Sequence, residues 1–115
     1  MHEIKAIIRP TRLDAVMDAL HSIPGLPGVT VSRVHAYARQ QPQDTDTTAR
    51  LGEADFVKLE TVVPGDLVDA VAERVRKAAH TGRPGDGMIF VTEVQQAIRI
   101  RSGERGIPAL GGASS

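Results

Sequence analysis

The sequence contains no cysteine and no tryptophan, and its only aromatic side chains are Tyr37, Phe56 and Phe90. Without a thiol there is no disulfide, no thiolate zinc site and no cysteine nucleophile, a composition that fits a reducing cytoplasm. Three aromatics are too few for a base-stacking platform. An excess of either charge is missing too. Lysine plus arginine total 14, as do aspartate plus glutamate, so no net field draws the chain to nucleic acid or to an anionic membrane. No apolar run approaches a membrane span, and the one in MHEIKAIIRP is far too short for a signal peptide. The expectation is a cytoplasmic protein that does not bind nucleic acid.

A chain of 115 residues suits one domain. Such a domain is marginally stable, and oligomerisation would help it. Residues 3–8 (EIKAII) predict a first strand, stopped at Arg9-Pro10 because proline offers no N–H to a ladder. Thr11 is placed to N-cap a helix, with Asp14 three residues on. Leu13, Val16, Met17 and Leu20 then fall on one face, and the helix should end near Ser22, before the turn Pro24-Gly25-Leu26-Pro27-Gly28. Residues 29–37 and 56–63 predict two further strands. Pro64-Gly65-Asp66 opens a second helix with Leu67, Ala70, Val71, Val75 and Ala78 inward. Its last turns carry Arg74, Arg76, Lys77 and His80, which suits the negative end of the helix dipole, and Gly82 is a natural stop. Residues 88–94 predict a fourth strand and 98–101 a short fifth.

The order β-α-β-β-α-β predicts an α+β, ferredoxin-like sheet with a short extra C-terminal strand, as one domain over residues 1–110 and a frayed tail over 111–115. Two helices cover one sheet face. Apolar residues such as Ile7 and Val31, or their neighbours, fall on the other, which predicts a subunit partner.

Three features carry functional expectations. Residues 38–55 (ARQQPQDTDTTARLGEAD) join strands that should form a hairpin, yet far exceed a normal hairpin loop. The segment reads either as a tolerated flexible insertion or as a partner-contacting loop. Thr81-Gly82-Arg83-Pro84-Gly85-Asp86-Gly87 places three glycines in six residues, enough to turn backbone N–H groups into a phosphate-sized concavity, or simply to cap a helix and turn into a strand. Ile98-Arg99-Ile100-Arg101, as a strand, puts two arginines on one face about 7 Å apart, suited to bridging by an anion or to a solvated edge. The histidines His2, His21, His35 and His80 have no ligand-like spacing, so no metal site is expected. No Ser-His-Asp grouping is legible, so no catalytic residues and no enzymatic activity are expected.

Taken together, Ile4 to Pro10 with Leu13-Asp14, Val29-Thr30-Val31, Arg39-Gln40, Val62-Val63-Pro64, Thr81 to Gly87, Ile89-Phe90-Val91 and Ile98 to Gly106 resemble the PII signalling proteins. The resemblance runs from Glu3 to about Arg105. It implies a homotrimer with an adenine-nucleotide site (AMP, ADP or ATP, the last with magnesium) in each inter-subunit cleft. Residues 38–55 would be the flexible T-loop, docking on a regulated target, a membrane transporter among the candidates. By position, Arg39 and Gln40 lie at its base and Thr30 and Val62 touch adenine. Gly85, Asp86 and Gly87 form the phosphate-binding B-loop, and Arg99 and Arg101 contact phosphates. Met88 and Phe56 stand where the family usually has lysines, Ala36 and Ala38 where it has glycines, and the T-loop carries no tyrosine. The Ile23–Gly28 insertion resembles a branch associated with heavy-metal efflux. The alternative is a CutA-like trimeric protein linked to metals and lacking a nucleotide site. An acylphosphatase-like enzyme would want a glycine cradle at Arg9-Pro10-Thr11, which is absent.

Overall fold

The computed structural model describes residues 1–39 and 51–111. Four strands, β1 (His2–Ile8), β2 (Thr30–Arg39), β3 (Leu51–Val63) and β4 (Gly87–Glu93), form one antiparallel sheet in the order β2-β3-β1-β4. Two helices, α1 (Leu13–His21) and α2 (Val68–Ala79), pack together on one side of it, and a single turn, α3 (Ile107–Leu110), follows near the C-terminus. This is the ferredoxin-like arrangement expected from the element order.

Alternation along β1 decides which way the sheet faces. Ile4, Ala6 and Ile8 are buried, and between them Lys5 and Ile7 point to the other side. Their partners on β3 follow suit: Val57, Leu59, Thr61 and Val63 are buried against the helices. Val16 and Leu20 of α1 and Val71, Val75 and Ala79 of α2 complete the core. Each large side chain buried this fully contributes about 1.5–3 kcal/mol. Ala70, expected inward, lies exposed on the outer face of α2, with Ala79 buried instead. Thr61 is the buried polar side chain among the described residues, satisfied by donating its hydroxyl to the Gly28 carbonyl at 3.0 Å. That bond, with Ile23 buried and Leu26 and Val29 against the core, seats the 23–28 insertion on the sheet.

The helices are tied end to end by arginines. Arg12 donates from Nε and Nη2 to the Ala78 carbonyl at 2.9 and 2.7 Å, so a residue of the first helical turn caps the second helix. Arg74 returns the contact, donating to Ser22 Oγ at 2.5 Å. Thr11 does not cap α1: Pro10–Arg12 form a 3₁₀ turn that runs straight into the helix, with no side-chain cap.

The open sheet face carries Ile7 together with Val62, Met88 and Phe90, interspersed with Glu3, Lys5, Lys58 and Glu60. Met88 is 60% and Phe90 49% exposed. Val31 is not among them, because it pairs with Leu59 and so faces the helix side; its neighbours Thr30 and Ser32 occupy the open face. Two strand boundaries also move. β2 and β3 pair up to Arg39 and Leu51, so the ends of the 38–55 segment are hairpin ladder, and residues 40–50 lie outside the described residues. The short fifth strand reduces to one bridge, Ile98 to Arg105. Gly103, at φ +74°, reverses the chain there, with its N–H on the Arg99 carbonyl at 2.8 Å, before a second pair can form.

Candidate functional site

The glycine-rich loop Thr81–Gly87 leaves the end of α2 and enters β4 beside the last residue of β1, where Gly87 pairs with Ile8. Gly82, Gly85 and Gly87 all have positive φ. At Gly87 the reason is space as well as angle, since a Cβ there would sit 1.8 Å from the Ile7 carbonyl oxygen. Asp86 turns its carboxylate into the loop rather than out toward a ligand. It accepts from the N–H groups of Thr81 (2.8 Å) and Gly82 (3.0 Å), from the Thr81 hydroxyl, and from Arg9 Nε at 3.0 Å. Arg9 Nη2 also donates to the Pro84 carbonyl at 2.6 Å. Of the three residues expected to form the B-loop's phosphate-facing surface, Gly85 is exposed and Asp86 is the loop's internal brace.

These donors, the Thr81 hydroxyl and N–H first and then Arg9 and Gly82, hold the Asp86 carboxyl far below the usual carboxylate range. Such a group stabilises the fold only while ionised. Its contribution is therefore present above the unfolded value, about pH 4, and fades as the pH falls toward the folded one. Asp86→Asn is expected to melt below the native protein at pH 7, with the gap narrowing between about pH 4 and pH 2. A gap independent of pH in thermal scans would show that the carboxylate's charge does not matter.

Thr30 and Val62 meet at the other end of the sheet. They line a groove of about 430 Å³ with Glu3, Glu60, Ile98 and Leu110. Arg99 lies beside this groove, but its guanidinium donates to the Ala109 carbonyl at 2.9 Å and so fastens α3. Arg101 is exposed in the turn beyond the Ile98–Arg105 bridge. The two arginines therefore do not share a strand face, and Ile100 between them is fully exposed. Arg39 pairs with Leu51 on the hairpin arm, past the Ile8 end of the sheet; Gln40 lies outside the described residues.

The expected site residues thus fall into two groups. Gly85–Gly87 sit where β4 meets Ile8, with the arm and Arg39 beyond the same end. Thr30, Val62, Arg99 and Arg101 belong to the end near Glu3. Glu3 and Ile8 lie five steps apart along β1, roughly 17 Å at 3.3 Å per residue. Residues missed from the sequence are Arg9, Glu3 and Glu60, while Thr81 and Ile98 stood in the marked segments without a role of their own. No local signal marks Arg9, whose partner Asp86 is 77 residues away. Glu60 was within reach, since it stands two residues before Val62 on the same strand face. Among the described residues no group of three metal-ligating side chains occurs, and no helix is long and apolar enough to cross a membrane.

The sheet order, the paired helices, the long β2–β3 arm and the glycine loop before β4 define a ferredoxin-like α+β protein with a loop braced by its own aspartate. Comparison with known proteins takes this further. The family model described as "Nitrogen regulatory protein P-II" matches residues 1–104. Nitrogen regulatory protein P-II of Azospirillum brasilense is 42% identical over 113 residues, covering 96% of this chain and all of that protein. Nitrogen regulatory protein P-II 1 of Escherichia coli K12 is 41% identical over the same shares. Among solved structures, a B. subtilis GlnK-ATP complex superimposes with a TM-score of 0.80 at 32% identity, covering 94% of this chain and 95% of that one. Arabidopsis thaliana PII bound to citrate does so with a TM-score of 0.75 at 40% identity, covering 94% and 90%. The chain belongs to the P-II family of nitrogen regulatory signalling proteins. This sets aside the CutA-like alternative. The relatives give no support to the heavy-metal branch that the 23–28 insertion suggested.

Proposed function

We propose that this P-II protein is a non-enzymatic cytoplasmic regulator that binds an adenine nucleotide between the subunits of a homotrimer and acts on a partner through the 38–55 segment. The observation that carries the reading is the split site. The glycine loop and the Thr30–Val62 groove stand roughly 17 Å apart along β1, too far for one copy to wrap a nucleotide closely from base to phosphates. A neighbouring copy seated on the open face through Ile7, Met88 and Phe90 would bring one chain's loop to the next chain's groove, and cover apolar surface in the same step. The ATP named for the B. subtilis GlnK complex supports adenine nucleotide as the ligand class; ATP would enter as its magnesium complex. The partner reading rests on the length and polarity of the segment, and a membrane transporter is the proposed class of target.

The base would lie in the groove with Thr30 and Val62, and the phosphates against Gly85 and Gly87, with Arg101 and Arg99 supplying charge; Arg39 and Gln40, at the base of the 38–55 segment by family position, complete the proposed set. Met88 follows the loop where the family usually has a lysine. A charge-assisted hydrogen bond is worth about 1.5–3 kcal/mol, so its absence removes roughly ten- to hundredfold in affinity for the terminal phosphate. Light scattering is expected to give three chain masses, and calorimetry to show AMP or ADP binding at least comparably to ATP. Met88→Lys should shift the preference toward ATP by roughly tenfold or more. A stable monomer at micromolar concentration, or no heat with any adenine nucleotide, would refute the reading. By the same reasoning Phe56 supplies no cation for an acidic co-ligand such as 2-oxoglutarate, whose tight binding is not expected.

A further inference from the structure

Arg9 directly follows the first strand and has no part in the ligand contacts proposed above. Its guanidinium is committed to the glycine loop: Nε to Asp86 Oδ1 at 3.0 Å and Nη2 to the Pro84 carbonyl at 2.6 Å. Asp86 in turn holds the start of the loop through the Thr81 hydroxyl and the N–H groups of Thr81 and Gly82. Arg83 N–H donates to that same hydroxyl at 3.2 Å. The loop from Thr81 to Asp86 is therefore gathered on the Asp86 carboxylate, which is tied in turn to the Arg9 guanidinium just past β1. That guanidinium also lies 3.5 Å from where a side chain would begin at Gly85, so it backs the exposed part of the turn. The pair is half-buried, with the two side chains 29% and 22% exposed. A planar fork can serve a carboxylate and a carbonyl together, whereas an ammonium is a point charge that holds such a pair with less geometric constraint.

We infer that Arg9 is a positioning residue: through Asp86 and Pro84 it sets the curvature of residues 81–87 before any ligand arrives, and thereby sets how tightly the loop holds a polyphosphate. The inference deepens the nucleotide reading and rests on it. A loop already held in shape has little ordering entropy left to lose when phosphates bind.

The test compares native protein with Arg9→Met and Arg9→Lys in two measurements. In ligand-free protein, amide hydrogen exchange at Thr81 and Gly82 should quicken by at least about tenfold in Arg9→Met, with Arg9→Lys between, while the β1–β3 ladder stays protected. In titrations followed by NMR, ATP affinity should fall at least about fivefold, with adenosine affinity unchanged because the base is held at the distant groove. Arg9→Lys, which keeps the charge, carries the comparison if Arg9→Met does not fold. Unchanged exchange at Thr81 and Gly82 overturns the inference. An equal loss for ATP and adenosine also overturns it, since Arg9 would then only support the fold. If native protein binds no ATP, the nucleotide reading and the polyphosphate half of the inference fall together, and the exchange comparison alone decides whether Arg9 shapes the loop.

Discussion

Gly87→Ala is expected to be among the most damaging single-methyl additions in this protein. Its Cβ would stand 1.8 Å from the Ile7 carbonyl oxygen and 2.9 Å from the carbonyl carbon, backbone atoms of a central strand with no soft side chain to move aside. The φ of +114° is also one that an L-residue rarely adopts. Relief requires β4 to lift from β1 at the point where the glycine loop enters the sheet. Backbone strain of about 1–3 kcal/mol, plus about 1 kcal/mol for each ladder hydrogen bond given up, predicts a loss of at least about 2 kcal/mol and a Tm lower by roughly 10–20 °C. Gly28→Ala is the control: its Cβ meets nothing within 4 Å and its φ is not positive, so it should stay within about 0.5 kcal/mol of native. Denaturant unfolding at one fixed chain concentration checks both, because oligomerisation makes stability concentration-dependent. If Gly87→Ala unfolds within about 1 kcal/mol of native, the close β1–β4 approach is wrong.

The fold was legible because its strongest signals are periodic and local. The alternation in EIKAII and the helical spacing of Val16, Leu20, Val71 and Val75 are consequences of which face is buried, and these residues are buried as the periodicity marks them, whereas Ala70 and Ala79 exchange places. Signals failed where composition and pairing disagree. Gly52 to Asp55 are polar or small and read as loop, yet they continue the ladder opposite Ala38 to His35, and Asp55 meets His35 Nδ1 at 2.8 Å. IRIR has a strand's alternation, but without a neighbouring strand to continue the pairing Gly103 turns it back after one bridge. The Thr11 cap failed because Pro10 starts a 3₁₀ turn that supplies the helix entry by itself.

The site was legible in its residue types more than in its roles. Three glycines and an aspartate do mark a loop of unusual shape, but spacing cannot say whether the carboxylate faces a ligand or the loop's own N–H groups. The second answer holds for Asp86. Arg99 likewise has the right chemistry for a phosphate and is fastened to α3. The brace from Arg9 is a contact across most of the chain, which only the β1–β4 pairing brings about.

The split between loop and groove leads to the other large effect expected. If nucleotide lies between copies, a chain damaged only in its loop and a chain damaged only near its groove carry defects in different halves of the site. Gly85→Asp suits the first. It adds a negative charge to the loop that would meet the phosphates, the nearest atom to its Cβ is Arg9 Nη2 at 3.5 Å, and aspartate tolerates positive φ better than most residues. Arg101→Ala suits the second, since Arg101 is exposed and its removal disturbs no packing. Each variant alone should form trimers and show little or no heat with ATP or ADP. Unfolded together and refolded in equal amounts, they should assemble mixed trimers in which about a quarter of the clefts pair an intact loop with an intact groove. Calorimetry should then recover about a quarter of the native stoichiometry at close to native affinity, because the restored clefts are chemically whole. A mixture as silent as its two components would place both halves of the site on one chain, and the inter-subunit reading would have to be abandoned.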